Sequence, residues 1–156
     1  MPESQRLVLA IAGMDSKETL GGPRLSAAAL EYLQDRLVSC GRFRVVERMQ
    51  LRRILEEQQP EGTSKAAKLA GADWVVYGAI TEASLRGGSG PGDLKGVAEA
   101  LVHLRVVRVE DGVIIYSHRH RGSAVNTSSS MDDSLLFQAV RAAVDKLAGE
   151  IAELAP

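Results

Sequence analysis

Two uninterrupted apolar segments constrain the fold of this chain more than any other feature of its sequence. They are residues 7–12 (LVLAIA) and residues 74–80 (WVVYGAI). Runs of this length and composition are typical of strands buried in a sheet. A helix that crosses a membrane needs about 18 or more consecutive apolar residues. The sequence therefore predicts a sheet with buried strands and no membrane span.

A helix and a second strand follow the first strand in the predicted order. Residues 13–22 form a polar loop, and Pro23 suits the first turn of a helix. Gly41 stands where a left-handed residue ends that helix, and residues 43–46 are a short second strand. The apolar residues of the helix recur at helical spacing: Leu25, Ala29, Leu30, Leu33 and Leu37.

Two more helices are predicted before the third strand. Met49, Leu51, Ile54 and Leu55 alternate with charged residues as in an amphipathic helix, which Pro60 ends. A short third helix over residues 64–70 begins at a serine cap and stops before a glycine.

Three closely spaced strands and a long helix complete the chain. The strands cover residues 74–83, 97–109 and 113–124, with a turn at Asp111–Gly112 between the last two. Ser130 and Asp133 form a capping box before the final helix. Its apolar stripe consists of Met131, Leu135, Leu136, Val140, Val144, Leu147, Ile151 and Leu154.

The order of these segments predicts the fold class. A β-α-β start favours a parallel strand pair, and the short links between the last three strands favour an antiparallel meander. We expect one α/β (α+β) domain over residues 1–156 in the order β-α-β-α-α-β-β-β-α. About five strands form a mixed sheet, and the helices pack on that sheet.

Composition excludes several classes of protein. The net charge of −1 supplies no basic field for nucleic acid. The single cysteine, Cys40, cannot form an intramolecular disulfide or a cysteine zinc cluster. The glycine-rich residues 87–92 lie between two strands without a following helix, so they do not predict a nucleotide site. We expect no cofactor.

The histidines are the most suggestive candidates for a metal site, and the hairpin turn decides their arrangement. His118 and His120 share one face of the fifth strand, and His103 lies on the fourth. A two-residue turn at 111–112 places His103 opposite His120, whereas a three-residue turn at 110–112 with a bulge puts His103 on the other face. No carboxylate is placed to orient the imidazoles, so the sequence predicts no metal centre. Three arginines add positive charge there: Arg105, Arg119 and Arg121.

No set of residues predicts catalysis. The serines at 128–130 lie beside Asp132 and Asp133 but lack a nucleophile elbow or an oriented base, so helix capping accounts for them. No carboxylate pair, triad or closed metal set is present in the sequence. We therefore expect that the protein is not an enzyme.

Three segments together resemble the CsgG family, the curli secretion channel family. Residues 41–58 (GRFRVVERMQLRRILEEQ) are similar to its "grf-vveR" segment, and residues 71–80 (GADWVVYGAI) are similar to its "gad-yvv-G" strand. Residues 104–117 (LRVVRVEDGVIIYS) resemble its hairpin, and the matches occur in the family's order. Related folds occur in the N-terminal domain of TolB and in lipoprotein activators of penicillin-binding proteins such as LpoB.

The resemblance implies a periplasmic, often lipid-anchored domain that is not an enzyme. In the secretion channel, subunits form a ring, and two amphipathic hairpin segments per subunit complete a transmembrane barrel. Residues 86–96 are too few for such a hairpin, because each transmembrane strand needs about 9 to 11 residues. The fifth strand leads almost directly into the last helix. We therefore expect a relative that keeps the family's core without its pore.

The resemblance also directs attention to contact residues. The loop after the first strand lines the constriction of the channel, so its residues Met14, Asp15, Lys17 and Glu18 are candidates. Glu47 and Arg48 lie within the first motif, where we interpret them first as a structural ion pair and second as binding residues. The end of the hairpin, with His118 and His120, is a candidate contact for an acidic partner.

These inferences favour a non-enzymatic, envelope-associated domain that acts through protein–protein contacts. We expect an accessory or assembly subunit of a secretion or cell-envelope system, as a homo-oligomer or bound to other envelope proteins, without nucleic acid. The alternative is a periplasmic domain that senses a small molecule or a metal through loop 13–22 or the histidines.

The expected location depends on processing of the chain. The first six residues lack the basic region, apolar core and cleavage site of a secretory signal. We expect a periplasmic or outer-membrane-associated protein if a signal or lipid anchor has been removed, and a cytoplasmic one if the chain is full length.

Overall fold

The structure, a computed structural model, describes residues 6–16, 20–46, 71–87, 96–126 and 133–156. Within these ranges the chain forms five strands and two helices. The second and third predicted helices and the cap at Ser130 lie outside the described residues. The elements are β1 (Leu7–Asp15), α1 (Gly22–Ser39), β2 (Phe43–Val45), β3 (Trp74–Arg86), β4 (Gly96–Arg108), β5 (Ile114–Asn126) and α2 (Asp133–Leu154).

The five strands form one mixed sheet in the order β2-β1-β3-β4-β5. β1 is parallel to both β2 and β3, whereas β3, β4 and β5 form an antiparallel meander. The predicted fold class, a mixed sheet of about five strands with helices on it, is confirmed.

α1 begins and ends where the glycine and proline signals predict. Gly21 and Gly22 both have positive φ and turn the chain into the helix, with Pro23 in its first turn. Gly41 follows the helix with a φ of 74°, as predicted for a left-handed residue at this position. The buried face carries the predicted residues: Leu25, Ala29, Leu30, Leu33 and Leu37.

The main core lies between the sheet and the two helices. β4 contributes every second residue from Ala98 to Val106, as expected for a strand with one face on the core. α2 contributes six residues of the predicted stripe that are fully buried (Leu135, Leu136, Val140, Val144, Leu147 and Ile151), whereas Leu154 at its end is exposed. Each fully buried leucine, isoleucine or valine contributes roughly 1.5–3 kcal/mol to the free energy of folding through its burial.

A smaller apolar cluster lies on the opposite face of the sheet. Ala10, Ala72 and Val75 are buried there, with Tyr77 and Val109 partly buried against them. β1 and β3 therefore have apolar residues on both faces, as the two uninterrupted apolar segments predict.

β1 is longer than predicted. The sequence analysis began the loop at Gly13, but Gly13, Met14 and Asp15 continue the strand and pair with residues 77–79 of β3. The register shifts between Ile11 and Gly13, so a bulge at Ala12 lets the pairing resume.

The β4–β5 hairpin differs from both predicted turns. The amide of Arg108 donates to the carbonyl of Val113 (2.8 Å), and the connection holds four residues, 109–112. Arg108 also donates to both carboxylate oxygens of Asp111, at 3.0 Å and 2.6 Å, and this hydrogen bond is the main cause that lowers the pKa of Asp111. A register shift between Val106 and Val107 then places Tyr116 opposite Val106 and sets the pairing of the rest of β5.

Candidate functional site

Met14 and Asp15 lie at the end of β1, next to Gly78 and Ala79 of β3. The Met14 side chain is half-buried against the main core and fills the space beside Gly78. A Cβ atom on Gly78 would lie 2.8 Å from both the sulfur and the methyl carbon of Met14. Met14 is therefore a packing residue, whereas Asp15 is exposed at the same edge.

Four of the predicted contact residues are not among those that the structure describes. Lys17, Glu18, Glu47 and Arg48 lie outside the described residues. The last described residue before the second pair is Val46, whose amide donates to the carbonyl of Leu9 at 2.8 Å.

The register of the hairpin separates the three histidines. His103 pairs with Arg119, so it does not lie opposite His120, and the arrangement predicted for a two-residue turn is wrong. His118 and His120 face α2 with Tyr116, whereas His103 lies on the other face and its Nε2 is 2.8 Å from the Ser117 hydroxyl. The three-residue turn with a bulge predicted His103 on the face opposite His118 and His120, and the structure agrees. The register shift between Val106 and Val107 moves His103 to that face, as a turn longer by one residue would.

A carboxylate that the sequence analysis did not assign lies beside these histidines. Glu150 of α2 has one oxygen 2.5 Å from His120 Nε2 and accepts the Tyr116 hydroxyl on the other at 3.1 Å. The rings of Tyr116 and His118 are 4.7 Å apart. The expectation that no carboxylate orients the imidazoles is therefore wrong for His120.

The electrostatics of this cluster favour an ionised Glu150. Desolvation acts to raise its pKa, but the hydrogen bonds from His120 and Tyr116 and the charges of His120 and His118 lower it overall. The pKa of Tyr116 is raised, first by burial and then by the neighbouring carboxylate. Because an ionised carboxylate only accepts hydrogen bonds, Nε2 of His120 carries the proton in this contact.

The chemistry of the cluster is that of a connection between β5 and α2. Both carboxylate oxygens of Glu150 are occupied by groups of β5. Among the described residues, no three His, Cys, Asp or Glu side chains are grouped so that they could hold a metal ion. Sequence reasoning missed Glu150, which flanks the apolar stripe of α2 and is 30 residues from His120. No pattern in the sequence near Glu150 predicts which strand this side of the helix contacts.

Arg105, Arg119 and Arg121 lie on the face of the sheet opposite α1 and α2. Arg121 forms ion pairs with Glu82 (2.8 Å) and Glu99 (3.6 Å). The Arg105 guanidinium lies 4.9 Å from the centre of the Tyr77 ring. Side-chain alternation along β5 therefore directs Arg119 and Arg121 to one face and the two candidate histidines to the other.

A shallow cavity of about 360 Å³ lies at the end of the sheet where β3 begins. Asp73, Trp74 and Glu110 are among its lining residues. One Asp73 carboxylate oxygen already accepts the amide of Val8 at 2.8 Å, so this polar group is used within the fold. The cavity adds no separate binding chemistry to the candidates above.

Comparison with known proteins finds one matching family model and several solved structures with similar folds. The family model for the curli production assembly/transport component CsgG matches residues 12–154. A comparison with curated protein sequences finds no match. In the described part of the chain, neither helix is long and apolar enough to span a membrane.

Three solved structures have similar folds at low sequence identity. Lipoprotein GNA1162 from Neisseria meningitidis has a TM-score of 0.61 at 14% identity, over 94% of this chain and 99% of that one. The LpoB C-terminal domain from Salmonella enterica scores 0.55 at 19% identity, over 74% of this chain and 81% of that one. The PelC dodecamer from Paraburkholderia phytofirmans scores 0.53 at 15% identity, over 91% and 86%.

Proposed function

Because the chain belongs to the CsgG family, we propose that it is a non-enzymatic, envelope-associated domain that acts through protein–protein contacts. Its role is that of an accessory or assembly subunit in a secretion or cell-envelope system. The observation that carries this proposal is the family match over nearly the whole chain, residues 12–154. The fold likeness to an LpoB domain and to PelC supports it.

The proposed location is the periplasm or the periplasmic side of the outer membrane. One of the similar structures is a lipoprotein, which supports an envelope setting for this fold. The proposed partners are envelope proteins and further copies of this chain. The similar PelC structure is a dodecamer, which supports the second kind of partner.

The proposed contact surface centres on the end of β1 and the loop that follows. Asp15 is exposed there, and Lys17 and Glu18 continue the same segment. Glu47, Arg48 and the exposed His118 are secondary candidates. Met14 and His120 have supporting roles, because Met14 packs beside Gly78 and His120 binds Glu150.

The absolute mass of the chain in solution tests this proposal, measured by light scattering across a concentration series. We expect a discrete oligomer, and we expect Asp15→Lys to reduce its mass because it reverses a charge on the proposed contact surface. Glu110→Lys is the matched control, since it reverses the charge of another exposed carboxylate, at the opposite end of the sheet.

A monomer at every concentration would overturn the self-assembly part of the proposal. Capture of an envelope protein by the wild-type chain, lost with Asp15→Lys and kept with Glu110→Lys, would then support an adaptor role. Absence of both an oligomer and an Asp15-dependent partner would contradict the proposed function as a whole.

A further inference from the structure

The outer edge of β5 is a long strand edge at one side of the sheet. β5 has 13 residues, and in the described part of the chain it pairs only with β4. Strand edges of this kind present unpaired backbone amides and carbonyls. Apolar side chains are exposed near both ends of the strand, with Ile114 at 53% and Val125 at 59%.

The middle of this edge is basic on the face away from α2. Arg119 is exposed there and has no carboxylate partner among the described residues. Arg105 is its diagonal neighbour on β4, because Arg105 pairs with Ser117 and His103 pairs with Arg119. Arg105 stacks on Tyr77 and likewise has no acidic partner among the described residues.

Two glutamates on the same face do not cancel this charge. Arg121 pairs with Glu82 and shares Glu99 with Arg86, whose guanidinium lies 3.2 Å from Glu99. Those two arginines therefore balance the two carboxylates. No carboxylate in the described part of the chain pairs with Arg105 or Arg119, and their positive charges are the ones that the proposal assigns to a partner.

We propose that the outer edge of β5 accepts an extended segment of another protein that carries acidic residues at alternate positions. An added strand would pair its backbone with β5 and place one side chain in every two on the arginine face. Alternate side chains of a strand are about 6.6–6.8 Å apart, the same spacing as Arg119 and Arg121. A carboxylate of the added strand therefore meets Arg119, whose charge no carboxylate among the described residues balances.

Charge argues against a second copy of this chain as the occupant. Symmetric pairing of two β5 edges about their middle would bring residues 118–121 (HRHR) of one copy against the same basic residues of the other. Like charges opposite each other destabilise paired strands. Basic side chains on an edge strand oppose self-association in this way.

A synthetic peptide of alternating Glu and Thr tests this proposal by fluorescence anisotropy. We expect saturable binding that Arg119→Glu weakens about tenfold or more, because the change replaces attraction by repulsion at the central position. Lys146→Glu is the control, since it makes the same change at an exposed site on α2. Circular dichroism checks that both variants fold.

Two N-methylated forms of the peptide separate strand addition from simple charge attraction. Alternate residues of an added strand direct their backbone groups toward β5, so N-methylation of one alternate set blocks pairing and N-methylation of the other does not. Equal effects of both forms, or equal binding by Arg119→Glu and the wild type, would overturn the proposal. Anionic phospholipid vesicles bound through Arg119, with no binding of the peptide, would assign the arginines to a lipid surface instead and also overturn it.

This inference rests on the proposed function and names a class of partner for it. The experiments distinguish failure of strand addition from failure of the proposed function. A discrete oligomer that does not bind the acidic peptide refutes strand addition alone. A monomer that binds the peptide through Arg119 refutes self-assembly and keeps the edge as a contact site.

Discussion

Single residues determine how the end of α2 is held on β5. Glu150 accepts hydrogen bonds from Tyr116 and His120, two residues that share one face of β5. Hydrogen bonds to a charged acceptor are stronger than neutral ones, and part exposure of the pair reduces that advantage. The stabilisation by this cluster should therefore depend on the ionisation of Glu150.

Glu150→Gln should destabilise the protein by roughly 1 kcal/mol at neutral pH. The folded-state pKa of Glu150 is lower than that of an ordinary glutamate. The stabilisation of the fold by ionised Glu150 is therefore complete above the ordinary glutamate pKa, and it is lost as the pH falls through the lowered pKa. Denaturant unfolding should therefore show the wild type and Glu150→Gln converging in acid. Glu153→Gln is the control, because Glu153 is exposed on the same helix. Its unfolding curve should coincide with that of the wild type at neutral pH and in acid.

Gly78 and Met14 should behave as a coupled pair. Gly78→Ala places a methyl group against the Met14 side chain and 3.0 Å from Leu104. Because the crowded Met14 atoms are the far end of a flexible side chain that can move, we expect a loss of only about 1 kcal/mol from overpacking. Met14→Ala should cost less stability in the Gly78→Ala background than alone, because it removes the main clash. Strictly additive losses in a double-mutant cycle would contradict this account of Met14.

At the scale of elements, α2 rests directly on β5 where Gly122 has no side chain. A methyl group on Gly122 would overlap the backbone carbonyl oxygen of Ala139 and crowd the amide of Ala143. Both contacts are with the backbone of the helix, which cannot move by a change of rotamer. The distance between α2 and the sheet therefore depends on this glycine.

Gly122→Ala should destabilise the fold by about 3 kcal/mol or more, because helix and strand must separate. Gly149→Ala is the matched control, since a Cβ there meets nothing within 4 Å and alanine favours a helix. That variant should be more stable by roughly 0.5–1 kcal/mol. Thermal unfolding of the two variants measures both effects, and similar losses would contradict the close approach at Gly122.

At the scale of the whole molecule, one core connects both helices to the sheet. Leu33 of α1, Val102 of β4 and Leu147 of α2 belong to the same buried cluster. α1 and α2 are also joined by a 2.5 Å hydrogen bond from Tyr32 to Asp145 and by the Arg36–Asp145 ion pair. Shared burial of this kind makes local unfolding costly, so the described elements should unfold together.

Unfolding should occur in a single transition that two probes report alike. Trp74 is the one tryptophan of the chain and lies buried beside Phe43, so its fluorescence reports the sheet. Far-ultraviolet circular dichroism reports mainly the helices. Coincident denaturant midpoints would confirm one cooperative unit, and separate midpoints would show that the helices and the sheet unfold independently.

Several features of the fold follow from local patterns in the sequence. The apolar segments at 7–12 and 74–80 identify β1 and β3, and helical spacing from Leu25 to Leu37 identifies the buried face of α1. The motifs in residues 41–58, 71–80 and 104–117 identify the CsgG family, which the match over residues 12–154 confirms. Each of these features depends only on residues that are close together in the sequence.

Only the tertiary structure decides which of these residues meet. A four-residue connection and a register shift near Val106 place His103 away from His118 and His120, and a shift of one residue reverses the faces of a strand. Packing of α2 on Gly122 brings Glu150 to His120, and the exposed Arg119 lies on the face of the sheet opposite α2. Periodicity along a chain defines faces, whereas contacts between faces depend on turn geometry and on how closely backbones approach.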